Sequence, residues 1–80
     1  MKVDIYSKAN CPFCVKAFQL AARSRMKITE IKLDKDLNRD EMLKAIKDRS
    51  GVDFKSFPQI FLDDNYVGGF EDFEILVNKL

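Results

Sequence analysis

Hydrophobic and polar positions change period several times along the chain, and each change marks an element. Val3, Ile5 and Tyr6 form a short β-branched and aromatic run ending at Ser7, which predicts a first strand. Lys8 to Asn10 read as a loop. From Pro12 the spacing becomes helical: Cys14, Ala17, Phe18, Ala21 and Ala22 recur every three or four residues, leaving Lys16, Gln19, Arg23 and Arg25 for solvent. Ile28, Ile31 and Leu33, with Thr29, Glu30 and Lys32 between them, predict a second strand with imperfect alternation. This strand, helix and strand make a βαβ unit, whose crossover should be right-handed.

Asp36 to Asn38 supply capping residues for a second helix over Arg39 to Ser50, with Met42, Leu43 and Ile46 on its buried edge and Gly51 ending it. Asp40 and Glu41 in its first turn, and Lys47 and Arg49 in its last, suit the helix dipole. A loop runs from Gly51 to Pro58. Gln59 to Leu62 then form a third strand, Asp63 to Asn65 turn the chain, and Tyr66 and Val67 return antiparallel to Gly68 and Gly69. A last helix from Phe70 or Glu71 to Lys79 should bury Phe73, Leu76, Val77 and Leu80. Four strands in this order imply a mixed sheet with helices on its faces. No repeat or linker interrupts it.

Composition narrows the reading without redirecting it. A chain of 80 residues, 46% apolar and 34% charged, is expected to be a single globular domain over residues 1–80. Fourteen basic against thirteen acidic residues leave a net charge of +1, which argues against nucleic acid or an anionic membrane as partner and suits small or varied substrates. Met1 to Ser7 hold no apolar run of signal-peptide length and no segment approaches a membrane span. The expectation is a cytoplasmic monomer in a reducing compartment.

Chemistry then concentrates at one place, because Cys11 and Cys14 are the only two cysteines. They frame Pro12 and Phe13 where the first strand gives way to the first helix. There, orphan backbone N–H groups and the positive end of the dipole stabilise a thiolate on the first sulfur, while the second lies one turn inside. A reversible disulfide fits this placement. Half of a zinc site, a structural disulfide, or two ordinary buried thiols remain alternatives. A reducing compartment weakens the structural disulfide. The absence of histidine and of a second cysteine pair weakens zinc.

Three segments together resemble the glutaredoxins: Tyr6 to Cys14 with its Cys-Pro-Phe-Cys core, Phe57-Pro58-Gln59-Ile60-Phe61, and Gly68-Gly69-Phe70-Glu71-Asp72. The likeness covers essentially the whole chain. It implies a thioredoxin-like α/β fold, a four-stranded mixed sheet flanked by three helices. The sheet order should be second, first, third and fourth strand, with the first two parallel and the last two antiparallel. It also implies thiol-disulfide exchange with glutathione as co-substrate and no tightly bound cofactor or metal. Clients would be protein disulfides and protein-glutathione mixed disulfides, a ribonucleotide reductase among the plausible ones. Phe13 stands where the family generally has Tyr, and Ser56-Phe57-Pro58 where it usually has Thr-Val-Pro.

The same resemblance assigns residues. Cys11 would be the nucleophile and the more exposed of the two thiols, aided by Lys8, and Cys14 the resolving thiol. Pro58 would follow a cis peptide bond, letting the Phe57 backbone pair with an extended thiol peptide. Gly68 and Gly69 would permit close backbone approach, Phe70 and Glu71 would hold the γ-glutamyl carboxylate on backbone N–H groups, Asp72 the α-amino group and Lys8 the glycine carboxylate, with Phe13 covering the apolar middle. Two other functions compete. A thioredoxin-like carrier recharged by a flavoprotein reductase would have no need of the Gly69 to Asp72 corner. A glutathione-ligated [2Fe–2S] module usually has Gly after the first cysteine and lacks the second, unlike Pro12 and Cys14.

Overall fold

The computed structural model describes residues 1–80. Strand β1 (Lys2–Ser7) leads through helix α1 (Pro12–Arg23) to β2 (Lys27–Lys32), then α2 (Arg39–Ser50), β3 (Gln59–Leu62), β4 (Asn65–Gly68) and α3 (Phe70–Asn78). The sheet order is β2-β1-β3-β4. β1 and β2 run parallel, with Ser7 opposite Lys32, while β1–β3 and β3–β4 are antiparallel. This is the expected thioredoxin-like arrangement. No helix is long and apolar enough to cross a membrane.

Strand periodicity divides the core into two layers. Val3, Ile5, Ile60 and Leu62 point to one face and meet Ala17, Leu20 and Ala21 of α1 and Phe73 of α3. Tyr6 and Phe61, one position out of phase, point to the other and meet Met42 and Ile46 of α2 together with Phe54. β3 lies between two strands and under helices on both faces, so all four of its residues are buried. β2 is an edge, which is why its alternation was imperfect: Lys27, Thr29 and Glu30 are all exposed.

Three local expectations need correction. The buried stripe of α1 takes in Leu20 and leaves Ala22 exposed, because tertiary contact with the sheet selects a face slightly rotated from the spacing alone. β2 stops at Lys32, and Leu33 instead bridges Leu37 across a tight loop whose Asp34 has φ 65°. Leu80, expected in the core, is 63% exposed, since α3 ends at Asn78 before another turn could bring it inward. Leu76 and Val77 are half-buried.

α2 is fixed at both ends as its sequence suggests. Asn38 accepts from the Glu41 N–H and Glu41 from the Asn38 N–H, each at 2.9 Å, and Gly51 ends the helix in the left-handed region at φ 76°. Arg49 ties the same helix to the sheet. Its guanidinium donates to Tyr6 Oη at 3.0 Å and to Asp4 Oδ2 at 2.9 Å, and lies 3.9 Å from the Phe61 ring centroid. Arg49→Ala is therefore expected to destabilise the fold by about 1–2 kcal/mol, read as a lower urea midpoint, because it removes packing as well as a partly screened ion pair. An unchanged midpoint would show that the pair does not hold α2.

Candidate active site

The site begins where β1 runs out. Ser7 is buried, Lys8 to Asn10 are exposed, and Asn10 turns the chain at φ 55°, a left-handed conformation that Asn tolerates. Cys11 follows in extended conformation as the N-cap of α1, with Pro12 in the first turn, where its missing N–H leaves no gap in the ladder. The Cys14 N–H donates to Cys11 Sγ at 3.2 Å, while the Cys11 carbonyl accepts from the N–H groups of Cys14 and Val15. Cys11 and Cys14 are joined as a disulfide, their Cα atoms 5.2 Å apart. Cys11 is 8% exposed and Cys14 only 2%. The expected difference in access is present but small. No acidic residue occupies the first turn of α1, so nothing opposes the dipole at Cys11.

Beside the disulfide lies a groove of about 350 Å³. One wall is Phe13, 49% exposed, with its ring 6.1 Å from that of Phe70. Ser56, Phe57 and Pro58 form another, and the peptide bond between Phe57 and Pro58 is cis. Gly69, Phe70, Glu71 and Asp72 close it from α3. The groove thus gathers every residue expected around glutathione except Lys8. Lys8 stands outside, with Nζ 5.9 Å from the Phe57 ring centroid.

One glycine-dependent approach shapes the α3 end. Gly68 has φ 117°, and a Cβ there would come within 2.8 Å of Asp72 Oδ2, so the backbone bend and the carboxylate position both need glycine. Gly69 caps α3 with no side-chain hydrogen bond to its first turn, leaving that helix start to the groove. Burial first, and the Asp72 carboxylate second, push the Tyr66 phenol above its ordinary pKa. Tyr66 Oη donates to Gln59 Oε1 at 2.6 Å, and Gln59 Nε2 donates to the Ser56 carbonyl at 2.8 Å. Gln59 is buried and pins the stretch before Pro58. Its role was readable only as a polar residue opening an apolar strand.

On the opposite side of the disulfide is a second depression, of about 550 Å³, lined by both cysteines and by Lys8, Val15, Glu30 and Lys32 among others. Ser7 Oγ donates to Glu30 Oε2 at 2.8 Å at its edge. Glu30 and Lys32 carry no motif, and sequence reading passed over them. The largest depression, about 690 Å³ between β4 and α3, includes Asp72 but neither Phe13 nor the Phe57-Pro58 segment beside the disulfide, so size alone would mislead here. No group of three or more His, Cys, Asp or Glu side chains is arranged to hold a metal ion.

Comparison with known proteins agrees with this geometry. The family model described as Glutaredoxin matches residues 3–67. Glutaredoxin 3 of Escherichia coli K12 is 37% identical over 71 residues, spanning 88% of this chain and 78% of that protein. Glutaredoxin 1 of Rickettsia prowazekii is 38% identical over 70 residues, spanning 88% and 70%. Among solved structures, glutaredoxin 1 from Francisella tularensis superposes with a TM-score of 0.81 at 29% identity, covering 98% of this chain and 93% of that one. Oxidised glutaredoxin 2 from Chlamydomonas reinhardtii gives 0.73 at 32% identity, covering 98% and 72%. With a disulfide at the start of α1 and relatives that span most of its length, the chain belongs to the glutaredoxin family, in its dithiol class, and is a glutathione-dependent thiol-disulfide oxidoreductase.

Proposed function

We propose that residues 1–80 work as one domain in which Cys11 attacks client disulfides and Cys14 resolves the product, with glutathione returning the pair to the dithiol. The observation that carries this reading is the placement of the Cys11 sulfur at a helix start, accepting from the Cys14 N–H, beside a groove with backbone and aromatic walls. The Cys11 thiolate displaces one sulfur of the client, forming a mixed disulfide. Cys14 then attacks Cys11, frees the second client thiol and leaves the Cys11–Cys14 disulfide. Two glutathione molecules reduce that bond and leave as glutathione disulfide. The balance is two electrons per client.

In the groove, the Phe57 backbone pairs with the cysteinyl unit of glutathione as a short added strand. Phe70 and Glu71 N–H groups at the uncapped start of α3 receive the γ-glutamyl carboxylate, and the Asp72 carboxylate takes the α-amino group. Gly69 lies beside Pro58, where a Cβ would make an ordinary contact with the proline carbonyl oxygen at 3.8 Å. Phe13 covers the tripeptide's apolar middle, and Lys8, above Phe57, reaches the glycine carboxylate. Protein disulfides and glutathionylated proteins in a reducing cytoplasm are the clients, a ribonucleotide reductase among them, and the protein acts as a monomer.

The test is donor choice. Glutathione with glutathione reductase should support turnover of a mixed disulfide, whereas thioredoxin reductase should not; the reverse result would replace this reading with the carrier one. Asp72→Ala should raise the KM for glutathione about tenfold with a smaller change in kcat, as expected for loss of one charge-assisted hydrogen bond. An unchanged KM would remove Asp72 from the glutathione site.

A further inference from the structure

The disulfide has two flanks, and the tripeptide accounts for only one. Phe13 and Val15 are two positions apart on α1 and so point about 200° apart around the helix. Phe13 faces the groove on the β3 and α3 side, while Val15 faces the depression on the β2 side. β1 carries the active loop between β2 and β3, which places one recess on each side of the same sulfur pair. Both Cys11 and Cys14 line the β2-side recess.

Its lining is specific in charge. Lys8 and Lys32 enter none of the molecule's five ion pairs. The one carboxylate there, on Glu30, is engaged by the Ser7 hydroxyl at 2.8 Å. Val15, 53% exposed, and the half-buried Phe18 supply apolar surface between these cations and the disulfide. The recess lining therefore carries two ammonium groups against one carboxylate, beside the apolar side chains of Val15 and Phe18, and the Lys32 ammonium has no ion-pair partner.

We propose that this β2-side recess is the client subsite, and that it takes a polypeptide segment carrying acidic side chains next to the reacting cysteine. The inference rests on the function proposed above. When a glutathionylated client reacts, a bond forms between Cys11 Sγ and the glutathionyl sulfur, and the bond from that sulfur to the client sulfur breaks. The client sulfur leaves with the electron pair and takes a proton from water. Both arms of the scissile bond must be housed at once. With the glutathionyl arm in the groove beside Phe13 and Lys8 engaged by its glycine carboxylate, the client chain lies against the other recess, where the unpaired Lys32 ammonium attracts its carboxylates.

The experiment uses two glutathionylated peptides of equal length, each with one cysteine, flanked by Asp in one and by Lys in the other. At low ionic strength the wild-type protein should show a kcat/KM for the acidic peptide about tenfold above that for the basic one, shrinking toward parity near ~0.5 M salt. Lys32→Glu should bring the ratio to parity or below, and Lys32→Gln to an intermediate value. A wild-type ratio near one or inverted, or a ratio that neither substitution moves, overturns the proposal. The mixed disulfide of glutathione with 2-mercaptoethanol, which has no flanking peptide, separates the two readings. If the wild type turns it over but treats both peptides alike, only the client subsite is lost; if it turns over none of the three, the function itself is lost.

Discussion

Replacing Cys11 with serine is expected to abolish both reduction of protein disulfides and removal of glutathione, a loss of roughly a thousandfold or more. The argument is electronic and positional. The N-cap of α1 offers its sulfur a hydrogen bond from the Cys14 N–H and a helix dipole that no first-turn acid opposes, both of which favour a thiolate over a neutral group there. A serine hydroxyl in the same place stays protonated at neutral pH and cannot form the mixed disulfide. Cys14, 2% exposed against 8% for Cys11, is the less accessible of the two sulfurs. The coupled glutathione assay measures the loss, and a thermal melt establishes that the variant is folded. Activity within tenfold of wild type would assign the attack to Cys14.

Cys14→Ser should divide the two activities. Reduction of a protein disulfide should fall about a hundredfold, since the intramolecular attack that releases the client has an effective concentration no free thiol matches. Removal of glutathione from a mixed disulfide should stay within about threefold of wild type, because a second glutathione can attack the sulfur held on Cys11 from solution. The geometry supports this split. The two Cα atoms are 5.2 Å apart across a single turn, so resolution by Cys14 requires little backbone movement. Parallel assays on one preparation decide the point. Equal losses in both would mean that Cys14 does not act as a separate resolving thiol.

The parts of this site that were legible beforehand are those built from contiguous residues. Pro12 at a helix start, Gly51 after a helix end, and Asn38 three positions before Glu41 each act within one turn, so local chemistry decides them. The three motif segments contain every residue that lines the groove except Ser56. Lys8 was less well placed, because whether a loop lysine reaches over Phe57 or lines the other recess depends on how the Gly51 to Pro58 loop packs, and both prove true. Gln59 escaped notice for a related reason. Its partners, Tyr66 and Ser56, come from β4 and from the preceding loop, and only the sheet register unites them.

Sequence alone determined the element order, the helix caps and which two sulfurs form the disulfide, since periodicity, turn chemistry and a lone cysteine pair are all short-range signals. Tertiary structure alone decided which face of α1 is buried, why Leu80 is left in solvent, and that two recesses flank the disulfide. Ser7 and Glu30 meet only because β1 and β2 pair in parallel register, and Phe13 and Pro58 meet only because β3 returns beside β1. Contacts of that kind form between residues far apart in the chain, whose approach is set by burial of the whole core and not by any local preference.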